Sequence, residues 1–427
     1  MKNPEIIAAY IEEAKHVFAE EPYLAKVFES CFTNTLNTTV KEMPDHTTHV
    51  ITGDIPAMWL RDSTAQLRPY LLAAGQDEKL ASVIEGLVRR QFSCICREPY
   101  ANAFNEEANG NCWEKDFPDQ NPWVWEMKFE VDSLCFPIQL SWLLWKNAGV
   151  TGQFDDIYLE GAKKILEVFE REQYHESRSS YRFERKNSIY TDTLSRDGKG
   201  ALVREGCGLI WSGFRPSDDA CAYGYLIPSN MFAWVVMGYL EEIAHKFFGD
   251  TVLAERAAKL REQVRQGIEH LGIANTQEFG EIYAYETDGY GQYNLMDDAN
   301  VPSLLAMEYL GYKPERKEVA ENTRRFLLSE ANPYYFSGKK LSGIGSPHTP
   351  SRYIWHIAVA MEGLTSSSKE QKLEAIRRLA ASDGGKGVMH EGVYADDPTV
   401  YTREWFSWAN AMYSELVLDY MGHQLKI

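Results

Sequence analysis

LRDSTAQLRPYLLAAGQDEKLASVIEGLVRRQFSCIC, residues 60–96, decides the fold. Apolar side chains recur at steps of three and four on both sides of Ala74-Gly75-Gln76-Asp77, which predicts two amphipathic helices, over 60–74 and 78–96, joined by a tight turn. So short a link makes the two helices antiparallel neighbours. The same unit recurs outward along the chain. Compact stop signals lie around Gly149 to Asp155, at Phe248-Gly249-Asp250, at Gly311-Tyr312-Lys313-Pro314 and at Thr365-Ser366-Ser367-Ser368. About twelve helices follow, over 4–30, 60–74, 78–96, 130–147, 156–173, 219–247, 251–271, 300–311, 315–329, 352–364, 369–382 and 405–423. Strand-like alternation is scarce.

Between these pairs run six long connections, at about 31–59, 97–129, 174–218, 272–299, 330–351 and 383–404. Strict alternation of long and short links along antiparallel helices puts all six at the same end. The expectation is an all-α (α/α)6 barrel spanning 1–427 as a single domain, with the six long loops forming one active-site face. A two-layer solenoid would carry a repeat motif, and none is visible.

Composition excludes several functions. The 427 residues hold 44 basic and 62 acidic side chains, a net charge of −18, and no basic run offsets it, so a nucleic-acid partner is not expected. No uncharged stretch approaches the ~18 residues of a membrane span. The N-terminal MKNPEIIAAYIEEAKHVFAEE lacks the basic, apolar, small-residue order of a secretory signal, and the reading is a cytoplasmic chain. Seven cysteines without paired CxxC spacing read as reduced thiols rather than a disulfide or zinc framework. In that setting the Asn37-Thr38-Thr39 sequon reads as an ordinary loop.

Aromatic residues are abundant, with 24 Tyr, 19 Phe and 11 Trp. They fill cores and also pack on the C–H faces of sugar rings. In the long loops they interleave with carboxylates: Trp59, Arg61 and Asp62 in the first; Trp113, Trp125, Glu126, Glu130 and Asp132 in the second; Trp211, Arg215, Asp218 and Asp219 in the third; His348 in the fifth; Glu391, Arg403, Glu404 and Trp405 in the last. A glycosidase needs such a set, because one acid protonates the leaving oxygen while a second carboxylate activates water or attacks the anomeric carbon.

Each motif also has a purely structural use. Asp62 or Ser63 can cap the helix that follows GDIPAMW at 53–59, and one of Asp218 and Asp219 can cap the next. Asp297 and Asp298 read as a cap sooner than as a site for a hard cation. The Gly-rich run at 384–387 fails the phosphate-loop pattern, and His348 and His356 lack the HExxH metal spacing. From spacing alone, Glu391 competes with Glu404, Asp396 and Asp397 as a base.

PAMWLRDS at 56–63, GFRPSDDA at 213–220, LMDDANVPSLL at 295–305 and HEGVY at 390–394 together resemble glycoside hydrolase family 125, the exo-acting α-1,6-mannosidases. The resemblance runs through nearly the whole chain. It implies an (α/α)6 barrel and an inverting hydrolysis with no metal, cofactor or covalent intermediate. Asp218 matches the general acid and Glu391 the general base, a pair expected about 6.5–9.5 Å apart so that water fits between. Trp59 is then a packing face, and Arg61, Asp62, Glu126, Arg215, Asp219, His348 and Glu404 are candidates to hold a terminal mannose, with a mannose-containing oligosaccharide as the partner and N-glycan degradation as the setting. Other readings predict different behaviour: an (α/α)6 α-glucosidase differs in sugar choice, an epimerase leaves disaccharides uncut, and a glycan-binding protein tolerates loss of Glu391.

Overall fold

The computed structural model describes residues 4–186 and 188–427. Twelve helices of eight residues or more occur among them: α1 Glu5–Val17, α2 Pro22–Thr38, α3 Leu60–Leu67, α4 Glu78–Arg97, α5 Val131–Ala148, α6 Asp156–Glu172, α7 Ile227–Ile243, α8 Thr251–Leu271, α9 Lys317–Leu327, α10 His356–Leu364, α11 Lys369–Ala381 and α12 Ser407–Met421.

Burial sorts them into two rings. All eight residues of α3 are buried, as are 14 of 18 in α5 and 12 of 15 in α12, whereas α8 buries seven of 21 and α11 four of 13. A helix covered on every side stands in the inner ring, and one with a single apolar stripe lies outside it. Helix α12 packs on both α3 and α10, α3 on α5, and α5 on α7; α2, α8 and α11 back α12, α7 and α10. This is the (α/α)6 barrel.

Residues 300–311 occupy the remaining inner position, between α7 and α10, and here the expected helix is absent. The segment is a series of turns. Its Leu304 and Leu305 amides donate to the Asp297 carboxylate at 2.9 and 3.0 Å, and the Asn300 amide donates to Asp298 at 3.2 Å. Pro302 has no amide to give. With those donors taken by side chains, the bonds that follow are irregular: Ala306 and Met307 donate to the carbonyls of Ser303 and Leu304, three back, and Leu310 to that of Ala306, four back, at 3.0 Å. The segment is still core: Val301, Leu304, Leu305, Ala306 and Leu310 are buried, and the Tyr309 hydroxyl donates to Glu415 of α12 at 2.8 Å.

Other boundaries move for local reasons. The expected helix over 4–30 is two, α1 and α2, broken at Phe18–Glu21 with Pro22 opening the second. Helices expected from 219, 352 and 405 begin at Ile227, His356 and Ser407, because the residues before them are extended.

Those extended residues lace the loops together. Met58–Trp59 pairs with Ala103–Phe104 and that with Val124–Glu126; Tyr225–Leu226 and Tyr293–Asn294 flank Glu286–Thr287; Tyr353–Trp355 pairs with Gly392–Tyr394. Between these sheets, Phe117 bridges Glu184, the Ala299 amide reaches the Gly345 carbonyl at 3.1 Å, and Gly53 bridges Phe406. The loop face is thus a closed ring of backbone hydrogen bonds. At its seam a Cβ on Gly53, whose φ is +134°, would stand 2.5 Å from the Trp405 carbonyl oxygen, so only glycine fits.

If Asp297 holds the sixth inner position, Asp297→Leu strands two buried amides and lowers stability by at least about 2 kcal/mol, with Asp297→Asn losing less. Urea midpoints of the two variants and the parent check this; a loss below about 0.5 kcal/mol for the leucine variant overturns it.

Candidate active site

Helix α3 leaves the strand Met58–Trp59 with Arg61 and Asp62 in its first turn, both buried. No side chain caps this helix, so Asp62 is free for another use. Arg61 gathers four carboxyl groups. Its Nη1 donates to Glu130 Oε2 at 2.5 Å and Asp132 Oδ2 at 3.2 Å, its Nη2 donates to Asp218 Oδ1 at 3.1 Å, and its Nε lies 3.6 Å from Asp62 Oδ2. Asn102 Nδ2 reaches Glu126, Glu130 and Asp218 at 3.1, 3.4 and 3.3 Å. Ser133 donates to Glu130 at 2.7 Å and Ser229 to Asp132 at 3.2 Å.

Arg61 and Lys128 face the carboxyls of Asp62, Glu130, Asp132 and Asp218, and the carboxyls outnumber them. Burial pushes Asp62 up to about 6, with Arg61 opposing. It raises Glu130 strongly and Asp132 as well, again against Arg61, and the neighbouring charges of Asp218 and Asp132 lift Glu130 further. Asp218 goes the other way: burial disfavours its charge, but Arg61, Lys128 and a hydrogen bond from Glu130 hold it below the usual carboxylate range. The opposite directions place a proton shared by this pair on Glu130 in preference to Asp218.

Neither Asp218 nor Asp219 caps a helix, since α7 starts eight residues further on. They sit in a tight turn in which the Arg215 amide donates to the Asp219 carbonyl at 2.8 Å and the Asp218 amide to the Arg215 carbonyl at 2.9 Å. Asp218 is left-handed, with φ 66°, a region that few residues other than Gly, Asn and Asp enter. Lys128 Nζ, from the second loop, holds its carbonyl at 2.8 Å.

Glu391 comes from the sixth loop, just before the strand Gly392–Tyr394, and is buried. Arg403 orients it, with Nη1 donating to Oε1 at 3.4 Å while Nε and Nη2 grip Asp54 at 3.1 and 2.5 Å. Asp218 and Glu391 line one cavity of about 360 Å³ together with Trp59, Arg61, Asp62, Asn300, His348, Trp355, Arg403 and Trp408. The indole Nε1 atoms of Trp59 and Trp408 and the Ser217 hydroxyl are buried with no hydrogen-bond partner.

Six sequence-derived candidates therefore meet in this cavity: Trp59, Arg61, Asp62, Asp218, His348 and Glu391. Three stand behind it. Glu126 is held by Arg185 at 2.9 Å and by Asn102. Asp219 Oδ1 is 3.2 Å from His348 Nδ1; burial disfavours the imidazolium, but the hydrogen bond and charge of Asp219 outweigh it and lift His348 to about 9. Arg215 donates to Glu286 at 2.6 Å and lines the neighbouring cavity. Glu404 is elsewhere: it is exposed and pairs with Lys386 at 3.0 Å and the Tyr401 hydroxyl at 2.8 Å. Asp396 pairs with Arg352, and His356 is a buried acceptor for the His390 amide.

Glu130, Asn102 and Arg403 belong to the site as well. Their loops point to them, but nothing in the local sequence ranks them above their neighbours. Among the described residues no group of three or more His, Cys, Asp or Glu side chains could hold a metal ion. None of the described helices is long and apolar enough to cross a membrane.

The whole arrangement has known counterparts. A metal-independent α-mannosidase of Streptococcus pneumoniae, solved in a non-productive complex with α-1,6-mannobiose, matches with a TM-score of 0.96 and 48% identity over 99% of both chains. The meiotically up-regulated gene 157 protein of Schizosaccharomyces pombe is 38% identical over 96% of this chain and 84% of its own length. A further solved glycosidase, 12% identical with a TM-score of 0.53 over 93% of this chain and 98% of its own, shares the fold alone. The family model described as metal-independent alpha-mannosidase matches residues 21–418, and the chain therefore belongs to glycoside hydrolase family 125, the metal-independent α-mannosidases.

Proposed function

We propose that this α-mannosidase removes terminal non-reducing mannose from α-1,6-linked mannosides, with inversion, using Asp218 as general acid and Glu391 as general base. One observation carries the reading: two carboxyl groups from different loops face the same small cavity, each held by its own arginine, Arg61 and Arg403. In an inverting hydrolysis the Asp218 proton passes to the glycosidic oxygen as the C1–O bond breaks. Water bonds to C1 from the opposite face and loses a proton to Glu391. The cavity is small and walled by Trp59, Trp355 and Trp408, which supports exo action. The mannobiose in the related pneumococcal structure supports the choice of linkage.

The acid must be protonated when substrate arrives, and Asp218 alone, beside Arg61 and Lys128, is not. Glu130 resolves this. It holds the pair's one proton and passes it through Asp218 to the departing oxygen, which leaves as a hydroxyl; both carboxyls are then charged until solvent reprotonates the pair. Trp59 and Trp408 line the cavity and offer ring surface to the sugar. His348, charged through neutral pH because of Asp219, donates to a hydroxyl.

Proton NMR of α-1,6-mannobiose during turnover, with chelator present, is expected to show β-mannose first; α-mannose first means retention and removes both assigned roles. Asp218→Asn is expected to lose about 10²-fold or more on mannobiose while keeping activity on α-mannosyl fluoride, whose leaving group needs no proton.

Replacing Glu130 by Gln removes the proton store. The variant is expected to lose ~10²-fold on mannobiose at pH 7 and, because Arg61 and Lys128 still hold Asp218 below the usual carboxylate range, to stay low down to pH 4, with little change on the fluoride. Parent-like activity on mannobiose across that range overturns the role of Glu130.

A further inference from the structure

A second and larger cavity, of about 1580 Å³, opens on the same loop face. It is lined by the chain on both sides of Asp218, namely Arg215 and the run Ala220–Tyr223, together with parts of the third, fourth and fifth loops. Nothing from the sixth loop, which carries Glu391, reaches it. The two cavities are neighbours through consecutive residues: Pro216 and His348 line the first, Arg215 and Pro347 the second. Asp219 belongs to this partition, and its Oδ2 is buried without a partner.

Its rim carries an unusual surface. Tyr190 is 87% exposed, Tyr290 64% and Leu202 53%, and all three line this one cavity. Tyr223 and Tyr334 add half-buried rings, and Asp288, Asn294 and Arg215 supply polar groups among them. The Tyr190 segment is tied to the acid's turn, because the Ala220 amide donates to the Thr191 carbonyl at 2.7 Å. Exposed rings interspersed with hydrogen-bonding groups are what a saccharide needs, since its C–H faces pack on aromatics while its hydroxyls remain paired.

We propose that this cavity is a second saccharide-binding site, which holds the third and later sugars of a chain, beyond the mannose that carries the departing oxygen, so that the preferred substrates are mannosides of three or more units. The position follows from direction: the leaving group departs on the side of the acid, and the cavity is built on the acid's own segment. The inference therefore rests on the assignment of Asp218 as acid. It goes beyond that assignment by fixing substrate length and naming Tyr190 and Tyr290 as its determinants.

The test compares kcat/KM for α-1,6-mannobiose and α-1,6-mannotriose in the parent, Tyr190→Ala and Tyr290→Ala, two exposed positions whose replacement leaves the core intact. The trisaccharide is expected to exceed the disaccharide by about three- to tenfold in the parent, mainly through KM. Each variant is expected to lose most of that advantage while hydrolysing mannobiose normally. Equal values for the two substrates in the parent, or an advantage that survives both substitutions, overturn the proposal. If neither substrate is hydrolysed, the catalytic reading fails instead. Calorimetric binding of mannotriose then decides the cavity: weakening by Tyr190→Ala or Tyr290→Ala upholds it, and unchanged binding overturns it.

Discussion

Everything in the site answers to Arg61. One guanidinium, buried at the start of an inner helix, meets Asp62 from its own helix, Glu130 and Asp132 from the second loop and its helix, and Asp218 from the third. Removing a cation from such a setting leaves carboxylates uncompensated where water does not reach, a loss of roughly 3–5 kcal/mol for even one broken buried pair. The same shortage of cations pushes Glu130 and Asp132 toward their protonated forms. Structural need and acid catalysis thus draw on the same excess of carboxyl groups.

The barrel serves this cluster by bringing chain ends of helices to one rim. Loop strands then pair neighbour with neighbour, and the closing contact at Gly53 and Phe406 joins the last loop to the first. Asp218 and Glu391 are 173 positions apart in the chain, yet both are fixed by backbone pairing rather than by floppy connections. Arg403 completes the far side: it clamps Asp54 of the first loop and Glu391 of its own.

Much of the architecture is legible from the chain, because short helix-to-helix turns carry compact stop signals and long connections do not. The alternation of link lengths is a global property that survives errors of several residues at each boundary. Residues 300–311 are the exception. Their apolar spacing is helical, but the decisive partners are the carboxylates of Asp297 and Asp298, whose competition for backbone amides is invisible to periodicity. In the site, aromatic and acidic loop residues point to the right loops without ranking individuals. Glu404 and Arg403 differ by one position; the left-handed turn of Arg403, with φ 35°, sends one inward and leaves the other in solvent. Glu130 reads as one more acid until its distance to Arg61 is known.

The left-handed backbone at Asp218 has a consequence of its own. Few residues tolerate that conformation; the two that enter it most readily besides aspartate are asparagine, which matches its shape but cannot give up a proton, and glycine, which has no side chain. Glutamate, the usual functional substitute, would strain the turn while pushing its carboxyl a methylene too far. A lineage that mutates this codon therefore has a choice between an intact turn without chemistry and an acid on a distorted turn. With Asp218 as the proposed acid, that narrow choice makes position 218 a sharper genetic marker of retained catalysis than any residue chosen for packing.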